Sequence, residues 1–171
     1  MSLEDLALEL LSWSKSISNK VKMITVDIEY KIKTADAENV LTHLNKCKDN
    51  FIPVLDKTVD ITDYSKQIVE NSVTFEAWAN MELIGLIAAY FNDKENHTGF
   101  ITNVSVVSEY GGRGLAAELL KNCIHYAIEK NFKEINLEVS HKNEQAIRLY
   151  KKHDFYQTSV KDDLIIMKKS L

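Results

Sequence analysis

Glycine, proline, cysteine and tryptophan are all scarce in this chain of 171 residues, which holds five, one, two and two of them. So little glycine and proline leaves no room for a flexible linker, and no low-complexity stretch or internal repeat interrupts the sequence. Cys47 and Cys123 stand far apart, which excludes a disulfide framework or a cysteine-built metal site and reads as two reduced thiols. The histidines, His43, His97, His125, His141 and His153, lack helical zinc spacing, and no Gly-x-Ser-x-Gly elbow is present. Neither a metal nor a serine nucleophile is therefore expected. Basic excess is missing too: 21 Lys and Arg against 25 Asp and Glu give a net charge of −4, which argues against nucleic acid as a partner. The longest apolar run, Leu83 to Phe91, has nine residues, far short of the ~20 that cross a bilayer. Glu4 and Asp5 stand where an export signal carries positive charge, so the expectation is a cytoplasmic protein with no membrane partner.

What is present is an ordinary globular composition, 45% hydrophobic and 27% charged, in a length that fits one domain with a real core. Leu3, Leu6, Leu10 and Ile17 lie near helical spacing. They predict an N-terminal amphipathic helix within residues 1–22, capped by Ser2 and followed by the main domain, 23–171. Alternation over Ile24–Ile32 predicts a strand. A helix opening at Thr34 or Asp36, a loop around Pro53 and a second helix from Asp60 to Ser72 follow. Val73–Asn80 and Leu83–Phe91 are joined by a turn at Asn80-Met81-Glu82, short enough to require an antiparallel hairpin. Phe100–Val107, a helix from Gly114 to Lys130 and Glu134–Val139 make a strand–helix–strand crossover with parallel strands. A short helix, Asn143–Lys152, and strands at Phe155–Val160 and Leu164–Lys168 close the chain. The order predicts an α/β (α+β) fold: one mixed, mostly antiparallel sheet with helices on both faces.

Three of the five glycines fall at Gly111, Gly112 and Gly114, directly before the long helix. The first N–H groups of a helix have no partner within it, and the helix dipole is positive there. Glycine lets an anion approach those groups, and Arg113 adds charge beside them. Gly112-x-Gly114-x-x-Ala117 formally matches a dinucleotide-binding fingerprint, with Glu138, 21 residues beyond Ala117, as ribose partner. That keeps an NAD(P)-binding oxidoreductase open. Against it, Ser108-Glu109-Tyr110 separate the strand from the glycines, and too little chain follows for the remaining strand–helix units.

The stretch VSVVSEYGGRGLAAELL resembles the coenzyme A-binding motif of the GNAT-type N-acetyltransferase superfamily, Arg/Gln-x-x-Gly-x-Gly/Ala. It falls here on Gly111, Gly112, Arg113, Gly114, Leu115 and Ala116. A second block, NEQAIRLYKKHDF, is similar to the family's Asn-x-x-Ala-x-x-Leu-Tyr-x-x-x-Gly-Phe and supplies Asn143, Ala146, Leu149, Tyr150 and Phe155. The resemblance covers residues 24 to 169. Gly111 stands in place of the opening Arg/Gln, and Asp154 in place of the glycine before Phe155.

The resemblance implies a sheet whose two parallel strands splay apart around acetyl-coenzyme A, bound as co-substrate. The main chain of Val104, Ser105 and Val106 would contact the pantetheine arm and acetyl carbonyl, and the pyrophosphate would rest on Gly111 to Ala116. Asn143 is expected to contact the cofactor or to cap its own helix. An amine of a small molecule or a protein would attack the thioester directly. A lysine-type amine has a pKa near ~10.4, so only about one in 2,500 is free at neutral pH, a deficit of roughly 4.6 kcal/mol that a base relieves. Glu138 is the candidate base and Tyr150 the candidate general acid for the departing thiolate. Asp56, Asp60, Asp63 and Glu70 would suit a cationic acceptor, though four acids in a polar stretch are more often plain solvated surface. The departures at Gly111 and Asp154 leave a non-catalytic acyl-coenzyme A sensor as an alternative. Homodimers are frequent in the family, so a second copy is an expected partner, with the N-terminal helix the first place to look for contact.

Overall fold

The computed structural model describes residues 4–12 and 26–171. Residues 4–12 are helical (α1) and leave Leu6, Leu8, Leu10 and Leu11 exposed; the remainder of the helix expected within 1–22 lies outside the described residues. Strand β1, Glu29–Ile32, is shorter than its alternation suggests, because its partner β2, Val73–Ala79, turns away at Asn80 just past the Glu29↔Trp78 pair. Between them lie α2, Ala37–Cys47, and α3, Ile61–Asn71. Asp36 opens α2 with a capping box: its carboxylate accepts from Asn39 N–H at 2.8 Å and Asn39 Oδ1 accepts from Asp36 N–H at 3.1 Å. Asp60 caps α3 by accepting from Asp63 N–H at 2.9 Å.

β2 and β3, Glu82–Asp93, form the expected hairpin. Asn80 and Met81 both adopt positive φ, 50° and 63°, the twist that a two-residue turn between right-twisted strands requires. β4, Thr98–Val106, α4, Leu115–Glu129, and β5, Glu134–Ser140, make the crossover; α5, Glu144–Lys152, and the hairpin β6, Tyr156–Lys161, with β7, Leu164–Ser170, complete the fold. The seven strands are ordered β1-β2-β3-β4-β5-β7-β6, and β4–β5 is the one parallel pair among the described residues. A dinucleotide-binding doubly wound sheet needs a run of parallel strands, so that alternative is set aside by the topology. One core lies between the sheet and α4–α5, around Leu119, Leu120, Leu137 and Met167; the other lies under α2–α3, around Leu44, Ile68 and Leu86.

One buried charge organises the second face. Glu76, fully buried on β2, accepts from Thr34 N–H at 2.9 Å, Ala35 N–H at 3.0 Å, Thr74 Oγ1 at 2.7 Å and Trp78 Nε1 at 2.9 Å, and from the Thr34 hydroxyl. Burial alone pushes its carboxyl up, but the hydrogen bonds from Thr34, Thr74, Ala35 and Trp78 outweigh it and hold the group below the usual range. The carboxylate thereby fixes the turn from which α2 starts.

Candidate active site

The β4–β5 ladder runs from Thr98↔Glu134 to Ile101↔Leu137 and stops. Beyond that point β4 keeps only β3 as a paired strand, with a register shift opposite Ala88/Ala89; Thr102 C=O accepts from the Tyr64 hydroxyl at 3.1 Å, and Val104–Val106 have no strand partner on the side of β5. The opening continues into a cavity of about 710 Å3, bounded by β4, the glycine loop, the first turn of α4 and one face of α5. That size is typical of a small-molecule site. Nine of the residues expected to touch the cofactor line it: Val104, Ser105, Val106, Gly111, Gly112, Gly114, Leu115, Ala116 and Asn143.

The glycine loop has the local geometry of an anion site. Gly112 and Gly114 have φ of +72° and +81°, a region that side chains rarely adopt, and a Cβ at either would meet nothing within 4 Å. Gly114 is the N-cap of α4 and supplies no side chain to cap it. The first intrahelical bond is Glu118 N–H to Gly114 C=O at 3.0 Å, so the N–H groups of Leu115, Ala116 and Ala117 precede the ladder and face the cavity end. Gly111, where the motif expects Arg or Gln, has ordinary φ of −60°. Asp154, where the second block expects glycine, takes the left-handed φ of +65° that the turn demands.

Three expected residues are not on the cavity wall. Arg113 is exposed and stacks over the Tyr110 ring at 5.2 Å. Glu138 is exposed on β5, paired in register with Ile166, just beyond the end of the β4–β5 ladder. Tyr150 is 6% exposed and packs against Phe155 with ring centroids 5.8 Å apart, next in sequence to the wall residue Leu149. Its hydroxyl has no hydrogen-bond partner among the described residues and is not among the fully enclosed unpartnered atoms, so its residual exposure includes the oxygen. Burial pushes the phenol well above its usual range, so it keeps its proton. Asn143 lines the cavity and also caps α5, accepting from Ala146 N–H at 3.1 Å.

Other wall residues were not legible from the motifs. Asn50 and Phe51 reach the cavity from the α2–α3 loop, and Asn50 Nδ2 donates to Ser108 Oγ at 3.1 Å across its rim. Arg148, paired with Glu144 at 3.3 Å, and Lys152 lie one turn apart on α5 and on the wall. The acids considered for an acceptor site are exposed and already engaged in part: Asp60 caps α3, Asp56 pairs with Lys48 at 3.4 Å, and Asp63 with Lys66 at 3.8 Å.

Comparison with known proteins places this geometry. The family model described as acetyltransferase (GNAT) family matches residues 38–155. The chain is 31% identical over 77 residues to the N-alpha-acetyltransferase MAK3 of Arabidopsis thaliana, a match covering 44% of this chain and 40% of that protein. The match thus spans about two fifths of the curated relative's length. Among solved structures, an acetyltransferase of the GNAT family from Desulfovibrio desulfuricans superposes with a TM-score of 0.72 at 16% identity, covering 84% of this chain and 99% of that one. The PaiA N-acetyltransferase from Thermoplasma acidophilum, in complex with coenzyme A, superposes with a TM-score of 0.66 at 16% identity over 84% of this chain and 99% of its own. At these identities the structural likeness is one of fold.

Proposed function

Because the chain belongs to the acetyltransferase (GNAT) family, we propose that it transfers the acetyl group of acetyl-coenzyme A directly to a primary amine. The observation that carries this reading is the continuity of one cavity from the free edge of β4 to the uncapped N-terminus of α4. A coenzyme A pyrophosphate suits the N–H groups of Leu115 to Ala117, and a pantetheine arm suits the unpaired edge of Val104–Val106. Arg148 and Lys152 supply charge for the remaining phosphate of the same molecule. The coenzyme A held by the Thermoplasma protein supports this assignment of the cleft.

Tyr150, next in sequence to the wall residue Leu149, is the proposed donor to the departing thiolate. A thiol near ~8.5 is a stronger acid than a tyrosine of ~10, and burial widens that gap here. Complete proton transfer from the phenol therefore runs uphill, and Tyr150 acts as a hydrogen-bond donor to the sulfur as charge develops on it. Glu138, at the exit of β5, is the proposed base, acting through water.

That the similar Arabidopsis protein is an N-alpha-acetyltransferase supports a peptide or protein N-terminus as acceptor. An α-amine near ~7.8 is about one part in seven free at neutral pH, so it asks far less of the base than a lysine does. The test is release of the coenzyme A thiol from acetyl-coenzyme A with peptides bearing a free N-terminus, with lysine analogues and with polyamines, followed by mass analysis of the acetylated product. Release should depend on the amine and be fastest with the N-terminal peptides. In the same assay Glu138→Gln should lose most of its rate below the amine's pKa and approach wild type above it. Acetyl-coenzyme A binding without amine-dependent release would establish a non-catalytic binding module instead.

A further inference from the structure

A buried hydrogen-bond chain passes through the cavity-wall residue Ser105, and its proton directions determine what that hydroxyl offers. His43, on α2, is 1% exposed. Its Nδ1 lies 2.9 Å from the Leu83 carbonyl oxygen, its Nε2 2.8 Å from Ser105 Oγ, and the Cys47 sulfur 3.6 Å from the same Nε2. A carbonyl only accepts, so Nδ1 carries the ring proton and Nε2 of the neutral ring is a lone pair. Burial holds the imidazole at about 4, below its usual range, so the neutral ring is the form present at neutral pH. Burial likewise pushes the Cys47 thiol up to about 12, so it remains a weak S–H donor. Two donors thus converge on Nε2, and the close one is the Ser105 hydroxyl.

Ser105 has a single proton, and His43 takes it. At its other contact, 2.8 Å from the Asn103 carboxamide, the serine oxygen can then only accept. The carboxamide end that meets it must be the NH2. With the amide oxygen turned to Ser105 instead, Asn103 Nδ2 is the one buried side-chain polar atom among the described residues without a partner. A half-turn of the carboxamide removes the first fault and turns its oxygen toward the Tyr64 hydroxyl, whose proton lies toward the Thr102 carbonyl at 3.1 Å. The protons then run one way, from Asn103 N–H to Ser105 O–H to His43 N–H to the Leu83 carbonyl.

Ser105 lines the cavity between Val104 and Val106 with a second oxygen lone pair still unused and no proton left to give. Resting on the acetyl-transfer reading above, we propose that Ser105 orients the attacking amine by accepting one of its N–H bonds, and that His43 is a positioning residue that keeps the serine an acceptor. The arrangement selects primary amines. A neutral primary amine has two N–H bonds: one is lost to the base on transfer while the other stays on Ser105. A secondary amine has one, and must surrender the bond that orients it.

The experiment compares two peptides that differ only in N-methylation of the terminal amine, with kcat/KM for each and Kd for acetyl-coenzyme A measured on every variant. Wild type should favour the primary amine. Ser105→Ala should narrow that preference about tenfold, the scale of one hydrogen bond in an enclosed site, with cofactor affinity kept because the cofactor contact assigned to Ser105 is its main chain. Ser105→Thr, which keeps the hydroxyl, should retain it. His43→Asn, which keeps a donor for Leu83 but frees the serine proton, should narrow the preference as Ser105→Ala does. An active enzyme whose preference ignores Ser105, or a loss that appears only in cofactor affinity, overturns the proposal alone. A wild type that acetylates neither peptide overturns the functional reading and the proposal with it.

Discussion

Replacing Tyr150 with phenylalanine is expected to lower kcat about 100-fold, the usual effect of removing one donor from a developing negative charge. The affinity for acetyl-coenzyme A should be unchanged, because the phenol meets the sulfur only as the thioester breaks. The change removes an oxygen that no protein group depends on, so no buried partner is orphaned. Melting temperature should therefore stay at its wild-type value, which separates this variant from one that harms the fold. Burial also raises the phenol above its usual range, so loss of its proton should set no alkaline limb on kcat below about pH 10. A Tyr150→Phe enzyme that turns over at the wild-type rate removes this residue from the mechanism.

Glu76→Ala is expected to cost about 4 kcal/mol, because it removes the acceptor of the buried Ala35 N–H and of the part-buried Thr34 N–H and Trp78 indole N–H together. For a chain of this size that is a fall in melting temperature of roughly 8–16 °C, read by calorimetry. The pH dependence follows from the same hydrogen bonds. The carboxyl is held below its unfolded value, so its contribution is present above that value, near ~4.3, and is lost as pH falls through the folded one. Glu76→Ala should therefore lose part of the acid sensitivity of wild-type stability. Since Glu76 fixes the start of α2 and α2 carries His43, the variant should also loosen the wall at Ser105. A melting temperature within about 2 °C of wild type would mean that the donors find other partners.

The parts of this architecture written in local chemistry were legible from the sequence. Asn80-Met81 announced a tight hairpin because so short a link leaves antiparallel strands no alternative, and both residues accept positive φ. Gly112 and Gly114 announced a special backbone before a helix, and both are left-handed. Asn143 read equally as cap and cofactor contact because one residue is positioned for both. What escaped the sequence depends on distant partners. His43 sits 62 positions from Ser105 and shares no motif with it; only the packing of α2 on β4 joins them. Asn50 and Phe51 reach the cavity because their loop folds back over Ser108. The early end of the pairing at Glu29 depends on where β2 turns, and no alternation within β1 encodes that. The acidic residues of the α2–α3 region invited a substrate role by composition, whereas Asp60 is a helix cap and Asp56 and Asp63 lie in surface ion pairs.

The most direct measurement is isothermal titration calorimetry of acetyl-coenzyme A into the full chain, with NAD titrated in parallel and both repeated on Gly114→Ala. Acetyl-coenzyme A should bind saturably to wild type and NAD should give no binding heat. Gly114→Ala, which forces a side chain onto a backbone at φ +81° beside the free N–H groups of α4, should bind acetyl-coenzyme A markedly more weakly. Saturable binding of NAD without acetyl-coenzyme A, or an affinity for acetyl-coenzyme A that ignores Gly114, would contradict the assignment of this cleft.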